Sequence, residues 1–516
     1  MNIRSILSAI FSFCVGVLQA QLAPPVEWHM CLGGSDFEVA NATQQTSDGG
    51  YVLVGFTQSN NGNVSGNHGA LDGWMVKLDA SGALQWQLSL GGSGIDNLRS
   101  VHQTADGGYI AAGKSDSNDG DVSGNHGYGD VWLVKVSALG TLEWQRSLGG
   151  NNEDEAGQVR QTADGGYIIA AVTATVNNGD VTGYHANGDG WLVKVDDQGA
   201  IEWQRALGGS GPDGVWAVRQ TADGGYIVAG DTESNNGDVS GNHGGYDAWV
   251  VKLDGLGTIQ WQHAFGGSLW ESGTSIEPTS DGGYVLSAWT YSVDGEVVGI
   301  HGNCDAWLVK MDQTGVIQWQ APLGGSARDE AGAVKELIGG GYVAVCWVTS
   351  NNGNVSGSHG GEDGWVVGLN ATGTIEWQKP LGGSGNDRTY GIEQTTDGGF
   401  ITSGYTWSNN GDATGNHGDE DFWVVKLGAL TTGVNEQEVV RMIATPNPSS
   451  GTLTIVVGSA MNDASLDLFD GLGNAVLHAR MTGSGITLDL SDQPRGMYLL
   501  TLRNDMGIAQ QRIVLN

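Results

Sequence analysis

Residues 203–263 read WQRALGGSGPDGVWAVRQTADGGYIVAGDTESNNGDVSGNHGGYDAWVVKLDGLGTIQWQH, and nearly the same sentence is written seven times along the chain. Its opening tryptophan recurs at Trp28, Trp86, Trp144, Trp203, Trp261, Trp319 and Trp377, always 58 or 59 residues on. A fixed period of this length has to be read before any single motif.

Each repeat resolves into four strand signals: V-x-Q-T, G-Y-I-x-A-G, W-L-V-K-L-D and I-x-W-Q-x-x-L-G-G. Between them lie a D-G-G turn, a long polar loop and an L-D-x-x-G turn, each rich in the residues that tight turns require. The 87 glycines among 516 residues, against nine prolines, fit many short strands joined by turns that need positive φ. The chain enters the pattern at a fourth strand, Glu27 to Leu32, and leaves it after a third, Trp423 to Leu427. One fragment completes the other. The prediction is an all-β chain whose residues 21–430 form a seven-bladed β-propeller of four-stranded blades, closed by the N-terminal strand so that no sheet edge stays open.

Around this domain the chain divides further. Residues 1–20 carry Arg4, an apolar run from Ile6 to Leu18, and Ala20 before Gln21, the pattern of a cleaved secretory signal peptide. Phe13 precedes Cys14 where a lipoprotein signal needs a small residue, and no later segment could span a membrane. Cys31, Cys304 and Cys346 then remain, enough for one disulfide and one leftover thiol, and whether Cys304 and Cys346 pair is left open. Residues 431–440 break the repeat as a linker, and 441–516 read as a small β-sandwich with alternating apolar runs such as Leu453-Ile455-Val457. A formal charge of −35 sets the surface against nucleic acid and leaves cations and neutral glycans as admissible partners.

Three resemblances follow from these residues. The phrase from Val251 to Trp261 resembles the tryptophan-docking segment of quinoprotein-type propellers, which bears on fold and not on cofactor. The whole repeat resembles the D-G-G-Y-I-V-A-G / W-Q-x-x-L-G-G-S proteins of bacterial surfaces. Pro446 to Gly451, Leu466 to Val476 and Arg495 to Leu500 resemble, in order, the three motifs of the type IX secretion C-terminal (Por) sorting domain, type A-like, with Arg512 where that family commonly has Lys. The last resemblance implies the type IX machinery as a partner and a secreted or outer-surface destination through the periplasm.

The long loops invite a calcium reading. Asp119, Asp121, Ser123 and Asp130 have the spacing of an EF-hand-like loop and are the best-charged copy, although the flanking helices are absent. Local Asx- and ST-turn bonding explains the same residues and is the preferred reading. The seven loop histidines, from His68 to His417, are read as structural, since a single asymmetric site gains nothing from seven identical copies.

Function is therefore sought where the repeats disagree. After the second strand stand Phe56, Lys114, Val172, Asp231, Trp289, Trp347 and Tyr405, and the aromatics fall in contiguous blades, joined by Trp270, Tyr291 and Trp407. Aromatic faces beside polar loops suit a neutral sugar, and filling between blades is the competing explanation. No catalytic signature is present, and Glu271 and Glu330 read as scaffold. The expected function is a non-enzymatic, secreted or surface binding module for glycan. The alternatives are a glycan-active hydrolase or lyase on a propeller scaffold, and a purely structural or adhesive surface protein.

Overall fold

A computed structural model describes residues 22–430 and 443–516, the latter without 457–463, 472, 484 and 505–506. The signal-peptide and linker segments, 1–20 and 431–440, lie outside the described residues. The described chain is all-β, with no helix, and separates into two compact units on either side of residues 431–442.

In the first unit seven antiparallel four-stranded sheets follow one another: 38–90, 96–148, 154–207, 213–265, 271–323, 329–381, and 387–427 joined by Val26–Leu32. We number them one to seven. The last joint is the one the repeat phase requires: Trp28 to Leu32 pair antiparallel with Lys426 to Phe422. Each sheet packs on the next, and the inner strand of sheet one, Glu38–Gln45, packs on Phe400–Thr406 of sheet seven.

The repeated residues hold this frame by local chemistry. In sheet one, Asp48 of the D-G-G turn accepts from Thr46 Oγ1 and from the Gly50 amide at 3.0 Å, while Gly49 turns the chain at φ +83°. The same carboxylate meets the buried Lys77 at 3.0 Å. Five other sheets repeat this pair, from Lys135–Asp106 to Lys426–Asp397. Sheet six lacks both partners together. Gly368 stands for the lysine and Gly339 for the aspartate, and the Trp377 ring packs against Gly368, where a Cβ would meet it at 2.1 Å. A buried cation without its carboxylate is expensive, so the two are lost as a pair.

The third-strand tryptophans, Trp74 through Trp423, are fully buried, and six donate Nε1 to the Gln that follows the fourth-strand Trp, as Trp74 does to Gln87 at 2.7 Å. The N-terminal strand carries His29 in that place, and the Trp423 Nε1 has no partner among the described residues.

The loop histidines are structural. Each Nδ1 meets the buried aspartate four residues on, at 2.6–2.8 Å in six sheets and 3.3 Å for His359. Those seven aspartates accept through Oδ2, and their Oδ1 atoms are buried with no partner among the described residues. Burial, against the pull of His243, raises the Asp247 carboxyl to about 6, and the other six shift the same way. The D-G-G aspartates shift oppositely: Thr221 and Lys252 hold Asp223 down to about 2.

A raised carboxyl stabilises the fold below its unfolded value of 3.8 and loses that contribution as pH rises toward 6. A depressed one loses its contribution as pH falls from 3.8 toward 2. The melting temperature is therefore expected to rise from pH 7.5 to a maximum at about pH 4–5 and to fall below about pH 3. A thermal scan series across that range checks it, and a monotonic rise toward pH 7.5 would contradict the assignment.

The second unit packs a sheet of Ile443–Thr445, Thr452–Val456 and Gly485–Asp489 with a sheet of Ala464–Phe469, Ala475–Met481, Gly496–Asn504 and Gly507–Leu515. Leu453, Ile455, Leu466, Leu468, Leu500, Leu502 and Ile513 share its core. Its opening motif is tied to the last strand: Asn447 accepts from the Val514 amide at 2.9 Å and donates to the Arg512 carbonyl at 2.7 Å.

Candidate functional site

Every inner strand of the first unit carries a bulge, where the register slips between residues such as Ala40 and Ala42. The extra residue is Asn41, Arg99, Gly157, Trp216, Thr274, Gly332 or Tyr390 in sheet order, and all seven line one cavity of about 870 Å³. A bulge re-aims a side chain out of the strand's alternation, and here it does so seven times toward the same space. Three residues further along each strand stand Gln44, His102, Arg160, Arg219, Glu277, Lys335 and Glu393. Six of these also line the cavity, and Glu277 lies against two of them.

The aromatic arc divides. Phe56, Trp289, Trp347 and Tyr405 line the cavity, together with Trp216 and Tyr390, which reading the repeats did not single out. Trp270 and Trp407 are 58 % and 53 % exposed and stand outside it. Tyr291 also lies outside, edge-on to Trp289 at 5.7 Å.

Trp347 is only 4 % exposed, and guanidinium groups lie over its ring: Arg388 at 4.0 Å and Arg328 at 5.1 Å from the centroid. Arg388 is held in turn by both carboxylate oxygens of Glu362, at 2.5 and 2.8 Å. Phe56, Trp216, Trp289 and Tyr390 are half-buried where they line the cavity, whereas Trp347 and Tyr405 are buried. In sheet four the aromatic position is Asp231, whose half-buried carboxylate accepts from Trp216 Nε1 at 3.2 Å and Ser272 Oγ at 2.6 Å.

The inner ring is charged. Arg219 bonds Glu277 through Nε and Nη2 at 2.8 and 2.6 Å, and Lys335 meets the same carboxylate. Burial opposes ionisation of Glu277, but the two cations prevail and hold it down to about 2. Burial, then Arg160, Arg219 and Lys335, push His102 down to about 3, so it is neutral at pH 7. Burial raises Glu393 and Glu330 above the usual carboxylate range.

The four calcium candidates are held by separate partners. Asp119 accepts from the Ser93 amide at 2.7 Å, Asp121 from the Gly91 amide at 3.4 Å, Ser123 from Gln145 at 2.7 Å, and Asp130 from His126. Among the described residues no group of three or more His, Cys, Asp or Glu side chains is gathered for a metal ion. Cys304 and Cys346 are both free and buried, as is Cys31, so the Cys304–Cys346 pairing that the sequence leaves open is not formed.

Known proteins bear first on the second unit. Residues 445–516 match the family described as the secretion system C-terminal sorting domain. With this sorting domain the protein is exported by type IX secretion to the cell surface or extracellular space, and the secretion machinery is its partner. The regulatory protein FlaEY of Caulobacter vibrioides is 24 % identical over 457 residues, covering 77 % of this chain and 45 % of its own, so the chain spans less than half the length of that curated relative. Among solved structures, the chain is similar to PorZ, a surface component of the type IX system of Porphyromonas gingivalis, at TM-score 0.39 and 10 % identity over 95 % of this chain and 61 % of that one. It is also similar to a PL25 ulvan lyase at 0.45 and 9 %, over 80 % and 96 %. At these scores neither likeness carries an argument about function.

Proposed function

We propose that residues 21–430, freed of a cleaved leader at 1–20, close as a seven-bladed β-propeller and act as a non-enzymatic module that binds a glycan in the central cavity. Closure is supported by the N-terminal strand in sheet seven, by the packing of sheet one on sheet seven, and by a cavity lined from all seven sheets. The observation that carries the binding reading is the convergence of the half-buried Phe56, Trp216 and Trp289 on that cavity, whose lining also holds the buried Trp347 and Tyr405. Half-buried aromatic faces stack on sugar CH groups, while polar groups such as Asn41, Asn97 and Gln158 meet the hydroxyls.

A glycan array probed with the mature chain tests it. Trp289→Ala is expected to weaken binding at least about tenfold, or roughly 1.4 kcal/mol, and Trp347→Ala to weaken it by releasing Arg388. Absence of binding, or binding indifferent to both changes, sinks the proposal.

A second reading, a glycan-active hydrolase or lyase, is favoured by one observation. Glu330 and Glu393 line the same cavity, both raised by burial as a general acid requires. Shortened chains appearing in a polysaccharide incubated with the protein, and absent with Glu393→Gln, would establish it in place of simple binding.

A further inference from the structure

We propose that the cavity selects an acidic ligand, a glycan bearing a carboxylate or a sulfate ester, and that the guanidinium of Arg160 receives that oxyanion. The inference rests on the glycan reading for the sugar and on the charge arrangement of the inner ring for the anion.

Arg160 lines the cavity and has no ion pair among the described residues. All of its hydrogen bonds leave from Nη1, to the carbonyls of Val159 at 2.8 Å and Val101 at 3.5 Å and to Ser100 Oγ at 3.3 Å. Its Nε and Nη2 atoms, the edge that binds a carboxylate or sulfate through two parallel bonds, have no hydrogen-bond partner among the described residues. The neighbouring ring positions do not neutralise it. His102 on one side is neutral, and Arg219 on the other is a like charge already committed to Glu277. Glu277 serves Lys335 as well, so one carboxylate answers two cations, and Glu393 is the remaining acid of the ring.

Burial and the like charge of Arg219 work against the Arg160 guanidinium and pull it down to about 9; Glu277 and Glu393 act on it through space, and among the described residues no carboxylate makes an ion pair with it. A bound anion would. The setting makes the site selective as well. The chain has only 22 Lys and Arg against 57 Asp and Glu, so most of its surface repels anions. Four of those cations, Arg99, Arg160, Arg219 and Lys335, line this one cavity. Phe56, Trp216 and Trp289 line the same space, so one acidic sugar can meet both a ring face and the guanidinium.

The test uses the full chain and Arg160→Gln, a change the scaffold accommodates because Gln44 occupies the equivalent place in sheet one. Melting curves are recorded in sodium sulfate and in sodium glucuronate against sodium chloride at matched ionic strength. Binding is then titrated with an oligogalacturonide, a sulfated oligosaccharide and a neutral oligosaccharide of equal length. Sulfate stabilises proteins generally by exclusion, so the reading is the difference between the two proteins. The expected result is a saturable gain of several degrees in the wild type that Arg160→Gln lacks. At least one acidic oligosaccharide should bind tenfold or more tighter than the neutral one, and the variant should lose that preference. The oligogalacturonide and sulfated arms tell which oxyanion is preferred. Equal response of both proteins to sulfate and glucuronate, or a neutral oligosaccharide bound as tightly as the acidic ones with Arg160→Gln indifferent, overturns the anion site and leaves the glycan reading standing. Response to the small anions through Arg160 without binding of any oligosaccharide has the opposite meaning: the anion site stands and the glycan reading falls.

Discussion

Glu277→Gln is expected to lower the stability of the repeat unit by about 3–5 kcal/mol, the range seen when one partner of a buried ion pair is removed. The wild-type carboxylate accepts two bonds from Arg219 and one from Lys335, with both its own side chain and that of Arg219 only 12 % exposed. Gln keeps the size and one acceptor but removes the charge, leaving Arg219, Lys335 and the unpaired Arg160 around one space. Denaturant unfolding at pH 7 measures the effect. A loss below about 1 kcal/mol, the value of an exposed pair, would mean that water screens this ring. Adding Lys335→Met to the variant should recover part of the loss, since it removes one of the stranded cations.

Removing residues 22–32 is expected to do more. The deletion strips sheet seven of its outer strand and exposes the ladder edge from Phe422 to Leu427. It also removes Leu32, Trp28 and Met30 from a core that they share with Trp74 and Phe422. Burial of Leu32 alone is worth roughly 1.5–3 kcal/mol, and the lost strand takes its backbone bonds with it, against a typical total of about 5–15 kcal/mol. An open, apolar edge is also a template for another chain. The truncated protein should melt at a lower temperature than the full chain and scatter light as larger species, and a synthetic 22–32 peptide should restore the size and melting temperature of the full chain. A truncated monomer with an unchanged melting temperature would show that the strand is not needed.

Much of this frame is legible in the repeat because each repeated residue has a short-range task. Asp48 shapes its own turn, His68 caps Asp72 four residues away, and Trp74 meets Gln87 thirteen residues on. Such tasks recur wherever the sentence recurs, so strand order and the phase of the N-terminal strand can be read from the period.

The cavity is less legible for a geometric reason. Counting alternate residues along an inner strand does not anticipate the bulge that turns Asn41, Arg99 and Trp216 inward. The charged ring did carry a signal. The residue before the Q-T pair is Gln44, His102, Arg160 or Arg219 in the first four sheets, a disagreement as sharp as the one that singled out Trp289. Conversely, Trp270 and Trp407 join Trp347 by residue type alone: they occupy other positions of the repeat, outside the strands, and remain in solvent, whereas Trp347 is roofed by arginines. Nor could spacing decide the cysteines, whose thiols are each enclosed and unpaired.

The lysine and aspartate missing together from sheet six bear on how such a chain can diverge. Both partners belong to one repeat, so a single copy exchanged its ion pair for a packed tryptophan with no matching change in the other six. The ion pairs around the cavity are built differently. Arg99 reaches Glu155 of the following repeat at 2.6 Å, and Arg219 and Lys335 approach Glu277 from the repeats on either side. Duplicating, deleting or shuffling a repeat would therefore preserve the strands, turns and buried lysines of every copy while separating the charges that define the interior. The frame can drift one unit at a time; the recognition surface is inherited only as a sequence of neighbours.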